Sequence, residues 1–192
     1  PEMGFRAEEE PAENRVASDG CDLTWLIDPH DGTRAAGAGF RGASLSIGLV
    51  RAGMPVLGIV YAYAGPAGPG DLLAWAEGMP GLQRNGVSVD TTERREAVAL
   101  VSKHADRRGL PYARVLAPMR YLASPGIAYR LARVAAGDAD VAISLNIPRD
   151  FDCAGGHALL IGAGMDLYDE RGRVVRYDPR EMQQLGFCFG GA

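Results

Sequence analysis

Cysteine is scarce: the 192 residues contain three, Cys21, Cys153 and Cys188. Their spacing matches no metal-ligand pattern, and an odd number cannot all pair with one another. A disulfide-stapled scaffold and a zinc site therefore give way to free thiols in a reducing compartment. No apolar run approaches the length of a bilayer crossing. The acidic opening, with Glu2 and the Glu8-Glu9-Glu10 run, has the wrong composition for a signal peptide, so the expectation is a cytoplasmic protein away from membranes. An excess of positive charge is also missing. Twenty Lys and Arg against 24 Asp and Glu leave a formal net charge of -4, which argues against a binder of nucleic acid polymers. Acidity does not exclude a phosphate-bearing substrate, because divalent cations reverse the local field at a carboxylate-rich site. There is no internal repeat. What is present, 47% hydrophobic and 23% charged residues, suits a globular chain with one sizeable core, or two halves sharing one.

Residues 1–22 read as polar and acidic. Residues 23–27, a short apolar run with β-branched and aromatic members, read as a buried strand ended by Asp28-Pro29. Gly32-Thr33 opens a small-residue stretch that begins a helix or a loop. Residues 43–50 and 56–62 form a hairpin across a turn at 51–55. The Gly/Pro-rich residues 65–70 are a loop, residues 72–77 a strand, and Arg84-Asn85-Gly86-Val87 a turn. In the second half, 97–102 and 139–145 read as strands. Residues 127–136 form a helix capped by Gly137, and 154–163 a tightly packed helix. Mixed strands followed by alternating strands and helices predict an α+β fold, a layered α/β sandwich. Its halves are 1–95, a mixed sheet, and 96–192, an α/β half, in one compact unit.

The informative cluster is Asp28-Pro29-His30-Asp31-Gly32-Thr33. Two carboxylates three positions apart stand beside a strand end, with the His30 carbonyl between them as a neutral oxygen ligand. Such hard oxygens suit magnesium, which keeps several waters and shares its shell with substrate phosphate. Gly32 lets the backbone approach an anion, and Thr33 adds a hydroxyl and, if a helix starts there, N–H groups for a phosphate oxygen. Taken alone, the cluster reads equally well as an Asp-rich turn. Glu8 stands twenty residues upstream in an acidic run that alone is a solvated face. Asp152, in Phe151-Asp152-Cys153-Ala154-Gly155-Gly156-His157, reads as the N-cap of the following helix, with its carboxylate directed at a loop-facing site.

Trp25-Leu26-Ile27-Asp28-Pro29-His30-Asp31-Gly32-Thr33 is similar to the first signature of the inositol monophosphatase superfamily. Phe151-Asp152-Cys153-Ala154-Gly155 resembles its second, usually written Trp-Asp-x-Ala-Gly, and Ala7-Glu8-Glu9 resembles the upstream Glu-Glu motif. The likeness covers essentially the whole chain. It implies the sandwich fold shared with fructose-1,6-bisphosphatase, hydrolysis of a small phosphate monoester, and two or three magnesium ions. It also implies inhibition by lithium and a homodimer. Glu8, Asp28 and the His30 carbonyl would hold a first ion, and Asp28, Asp31 and Asp152 a second. Gly32 and Thr33 would bind phosphate, while Thr33 with Glu8 and Asp31 would serve the attacking water. Family members carry two helices ahead of the Glu-Glu motif, and this chain starts a few residues before it, so the expectation is a fold lacking them.

Inositol-specific members carry a Glu seven residues before the second-motif Asp; Leu145 stands there. The Gly156-His157-Ala158 run and the Tyr177-Asp178-Pro179-Arg180-Glu181 segment look closer to the bacterial 3'(2'),5'-bisphosphate nucleotidase branch. Substrate identity stays open between an inositol or sugar phosphate and a 3'-phosphonucleotide. A fructose-1,6-bisphosphatase-like activity and a catalytically impaired binding protein are the alternatives. His157 is expected to pack rather than face the site. His30 is expected to act through its backbone, His104 and Lys103 to lie in a solvated loop, and Trp75 and Tyr61 to belong to the core.

Overall fold

Alternating apolar positions build two sheets in the computed structural model, which describes residues 3–9, 22–63, 70–90, 97–103, 110–178 and 180–192. The first sheet runs in chain order: β1 (Gly4–Ala7), β2 (Leu23–Asp31), β3 (Ser44–Arg51), β4 (Met54–Ala62), β5 (Asp71–Ala76), β6 (Gln83–Arg84) and β7 (Val87–Ser88). Only β1 and β2 are parallel; the other neighbours are antiparallel. Ala52-Gly53 and Asn85-Gly86 all have positive φ, from 49° to 83°. That is the backbone a two-residue hairpin demands, and Gly and Asn adopt it at least cost.

The second sheet contains β8 (Val98–Val101), β9 (Arg120–Ala123), β10 (Val141–Ser144), β11 (Asp166–Asp169) and β12 (Cys188–Gly191), in the order β11-β12-β10-β8-β9. Four helices are described: α1 (Thr33–Ala36), α2 (Leu110–Leu116), α3 (Ile127–Ala135) and α4 (Asp150–Gly162). α3 and α4 pack on each other and touch strands of both sheets, giving the α+β sandwich expected. Among the described residues no helix is long and apolar enough to cross a membrane.

α4 is buried around its circumference from Asp150 to Leu160, except Asp152, as expected of a helix sandwiched between layers. Gly48 and Gly58 are register partners on β3 and β4. They form a notch in which Ala154, Gly155 and Ala158 lie too close for any intervening Cβ.

The structure departs from the sequence reading in several places. β2 does not end at Asp28-Pro29 but continues to Asp31 through a bulge, where Asp28 pairs with Ser46 and Asp31 with Ser44. A bulge leaves a residue unpaired, so Pro29 costs no ladder hydrogen bond there. Asp152 is not the N-cap of α4. That position belongs to Arg149, and the Asp152 carboxylate at N3 accepts the Arg149 N–H at 2.7 Å. Tyr61 is 37% exposed on the outward side of β4 instead of lying in the core. β1, α2, β9, β11 and β12 have no counterpart in the sequence pattern, being too short to show a period. His104, Cys21 and most of the Gly/Pro loop lie outside the described residues.

Candidate active site

The bulge in β2 places the chemistry. In an unbroken strand, residues i and i+3 face opposite sides; the inserted residue returns Asp28 and Asp31 to the same buried face, 1% and 7% exposed. Glu8 follows β1, and its N–H donates to the Ile27 carbonyl at 3.2 Å, so the parallel β1–β2 pairing brings it beside Asp28. The close seat of α4 on the glycine notch sets Asp152 opposite. Glu8, Asp28, Asp31 and Asp152 all line one open cleft of about 1070 Å³, together with His30, Gly32 and Thr33. Every predicted site residue is therefore brought to the same cavity.

The local geometry is strongly constrained. The Asp28 carboxylate accepts the His30 N–H at 2.8 Å, and the Thr33 hydroxyl donates to the His30 carbonyl at 2.7 Å. Gly32 has φ +90°, a left-handed conformation that a side chain would strain, and a Cβ there would sit 3.3 Å from the Gly126 nitrogen. Asp31 lies at the N-terminus of α3, where the Ala128 N–H donates to its Oδ2 at 2.7 Å and those of Ile127 and Tyr129 also reach it.

Electrostatics show the four acids as one group. Burial, and then the neighbouring Asp31, hold the Asp28 carboxyl far above the usual carboxylate range; Asp152 and Glu8 add to the effect. Burial raises Asp152 to about 7, with Asp31 and Glu8 contributing while the Arg149 N–H opposes. Asp31 rises only to about 6, because the Arg130 guanidinium and three backbone N–H groups offset its burial. Desolvated carboxylates that repel one another favour a bound cation. The donors are hard oxygens throughout, so the set fits magnesium. Among the described residues no three His, Cys, Asp or Glu side chains close into a cage of their own, and magnesium characteristically takes one or two carboxylates and completes its shell with water and substrate phosphate.

Arg130, Ser44, Ser46 and Tyr63, in or around the cleft, escaped the sequence reading. Arg130 is 2% exposed and lines the cavity; as one Arg on an apolar helix it carried no signal. Ser44 and Ser46, opposite Asp31 and Asp28, have buried hydroxyls without partners. The Tyr63 hydroxyl is pushed up by burial, then by Asp28 and Asp31, and its ring meets that of His30 edge-on at 5.7 Å. The His30 Nε2 is buried and unpartnered. Lys103, expected in a solvated loop, instead lines the cleft, with its ammonium 3.5 Å from the centre of the Phe40 ring. His157 packs in the interior, bonded to the Tyr177 hydroxyl at 3.1 Å and Asp166 at 2.6 Å.

Known proteins resemble this chain in sequence and fold. The family model described as inositol monophosphatase family matches residues 1–188. The 3'(2'),5'-bisphosphate nucleotidase CysQ of Salmonella typhimurium is 28% identical over 184 residues, covering 94% of this chain and 72% of the relative. Among solved structures, an inositol monophosphatase of Thermotoga maritima superposes with a TM-score of 0.77 at 25% identity, over all of this chain and 70% of the other. CysQ of Bacteroides thetaiotaomicron gives 0.75 at 20% identity, over 99% and 77%. Family and relatives alike are phosphatases acting on phosphate monoesters, which makes the chain a phosphoric monoester hydrolase. The chain belongs to the inositol monophosphatase family, with the likeness to the nucleotidase branch carried by the CysQ relatives.

Proposed function

We propose that the chain is a magnesium-dependent hydrolase of a small phosphorylated metabolite, with Glu8, Asp28, the His30 carbonyl, Asp31 and Asp152 as metal-holding groups. The observation that carries this reading is the convergence of four carboxylates, from three separate chain segments, on one cleft. Bound magnesium supplies charge to stabilise the phosphoryl group and lowers the pKa of water. The chain's own residues supply the rest. With its proton directed at the His30 carbonyl, the Thr33 hydroxyl offers its lone pairs to orient the attacking water. Glu8, exposed at the cleft edge, receives the proton released from that water. Gly32 and Thr33 present backbone N–H groups to the phosphate, the glycine's left-handed turn keeping side-chain bulk out of its approach.

Within this class a 3'-phosphonucleotide fits better than inositol phosphate. Leu145, between the cleft residues Ser144 and Asn146, is 39% exposed and Ile147 57%. Ile147 offers a nucleoside an apolar surface there, and Leu145 supplies no carboxylate to accept from inositol hydroxyls. The test is phosphate release from 3'-phosphoadenosine 5'-phosphate, inositol 1-phosphate and fructose 1,6-bisphosphate, with and without magnesium. The first is expected to turn over fastest, and Asp31→Asn to lower its rate by about 10²-fold or more while the far-UV spectrum is unchanged. Equal turnover by Asp31→Asn and wild type would sink the assignment.

A further inference from the structure

Arg130 lies in the second turn of α3 and is almost fully enclosed, an expensive place for a guanidinium unless it has a task. Its Nη1 donates to two consecutive carbonyls, Ser124 at 2.7 Å and Pro125 at 2.8 Å, while Nε is buried without a partner. Those carbonyls belong to the turn that leads from β9 into α3. The turn is wedged against the first sheet's loop. A Cβ on Gly42 would stand 2.8 Å from the Pro125 ring, and one on Gly126 would stand 2.4 Å from Oδ2 of Asp31. Directly after it come the N–H groups of Ile127, Ala128 and Tyr129 that hold Asp31. The position of the turn therefore decides the position of the Asp31 carboxylate.

We propose that Arg130 is a positioning residue of the cleft: by clamping the Ser124 and Pro125 carbonyls it holds the turn that seats Asp31 on the first turn of α3. The proposal rests on the reading of Asp31 as a metal ligand. Charge and geometry predict opposite outcomes, which makes the role testable. Removing a buried positive charge beside a cation site would by itself tighten cation binding, whereas loosening the turn weakens it.

The experiment is calorimetric titration of the full chain with manganese and no substrate, alongside magnesium-dependent phosphate release. Arg130→Met removes the clamp and keeps the packing. Gly126→Ala changes no charge, and the backbone there (φ -73°, ψ 137°) accepts alanine, so its effect arises from crowding the Asp31 carboxylate at 2.4 Å and, less closely, the Gly42 carbonyl at 3.1 Å. Both are expected to weaken manganese binding about 10–100-fold, as loss of outer-shell support does. Arg130→Lys, which keeps a donor for those carbonyls, is expected to restore most of it. Should Arg130→Met fail to fold, Arg130→Gln, neutral but with one amide donor for those carbonyls, carries the test in its place. Wild-type or tighter manganese affinity in the neutral Arg130 variant, with affinity lost in Asp31→Asn, would overturn the positioning role and leave the reading of Asp31 standing. Wild-type affinity in Asp31→Asn would overturn that reading itself.

Discussion

Gly58→Ala tests whether the fit of α4 on the first sheet sets the active cleft. A Cβ at position 58 would stand 2.3 Å from the Gly155 carbonyl oxygen and 2.7 Å from the Ala158 Cβ, where ordinary contact begins at 3.4 Å. A backbone oxygen in the middle of a helix has no rotamer to escape into. α4 must instead lift from the sheet by about 1 Å, the shortfall in that contact. Overpacking of this size costs about 1–3 kcal/mol, which for a chain of this length lowers the unfolding midpoint by roughly 2–12 °C. The lift also carries Asp152, one turn before Gly155, away from Asp28 and Asp31 on the sheet. Under the proposed function Asp152 helps hold the metal, and misplacement of such a group by about 1 Å can cost about 10²-fold in rate. Thermal unfolding by circular dichroism and magnesium-dependent phosphate release measure the two effects. Gly81→Ala is the control, since a Cβ there meets nothing within 4 Å. If Gly58→Ala keeps the midpoint and the rate of that control, the notch does not position α4.

Metal-free protein is expected to lose stability as pH rises. Asp28, Asp31 and Asp152 all have pKa values raised in the folded state, from 3.8 to about 9, 6 and 7. Between those values the folded state binds more protons than the unfolded, so stability falls with rising pH. Unfolding midpoints in chelator should decline from about pH 4 to about pH 9 and flatten in saturating magnesium; a chelator profile without slope would refute this. A second expectation concerns Arg6 on β1 and Asp150 at the start of α4, which form a buried pair at 3.2 Å. The Arg6 guanidinium also donates to the Asp178 carbonyl at 2.7 Å and to that of Glu181. Arg6→Met leaves Asp150 buried and unpaired, and denaturant unfolding should show a loss of about 3–5 kcal/mol. Replacing both partners with apolar residues should cost less, and an equal loss would contradict the desolvation argument.

The residues of the cleft are local and mostly legible in the chain. Asp28, Asp31, Gly32 and Thr33 line the cleft together because a single strand end and its turn present them within six positions of the chain. The two hairpins are equally local, since Ala52-Gly53 and Asn85-Gly86 satisfy a backbone requirement contained within four residues. The tertiary structure decided how those donors act together. Spacing alone would turn Asp28 and Asp31 to opposite faces, and the bulge that reunites them exists through pairing with Ser46 and Ser44 on another strand. Glu8 reaches the site through the parallel pairing of β1 with β2, whose partners lie twenty residues apart. Asp152 gets there because Gly48 and Gly58 let a helix from the far half of the chain rest on the sheet. Arg130 and Gly126 bear on Asp31 only once α3 is docked, about a hundred residues downstream. Such placements draw their free energy from contacts between distant segments, which periodicity and composition do not record.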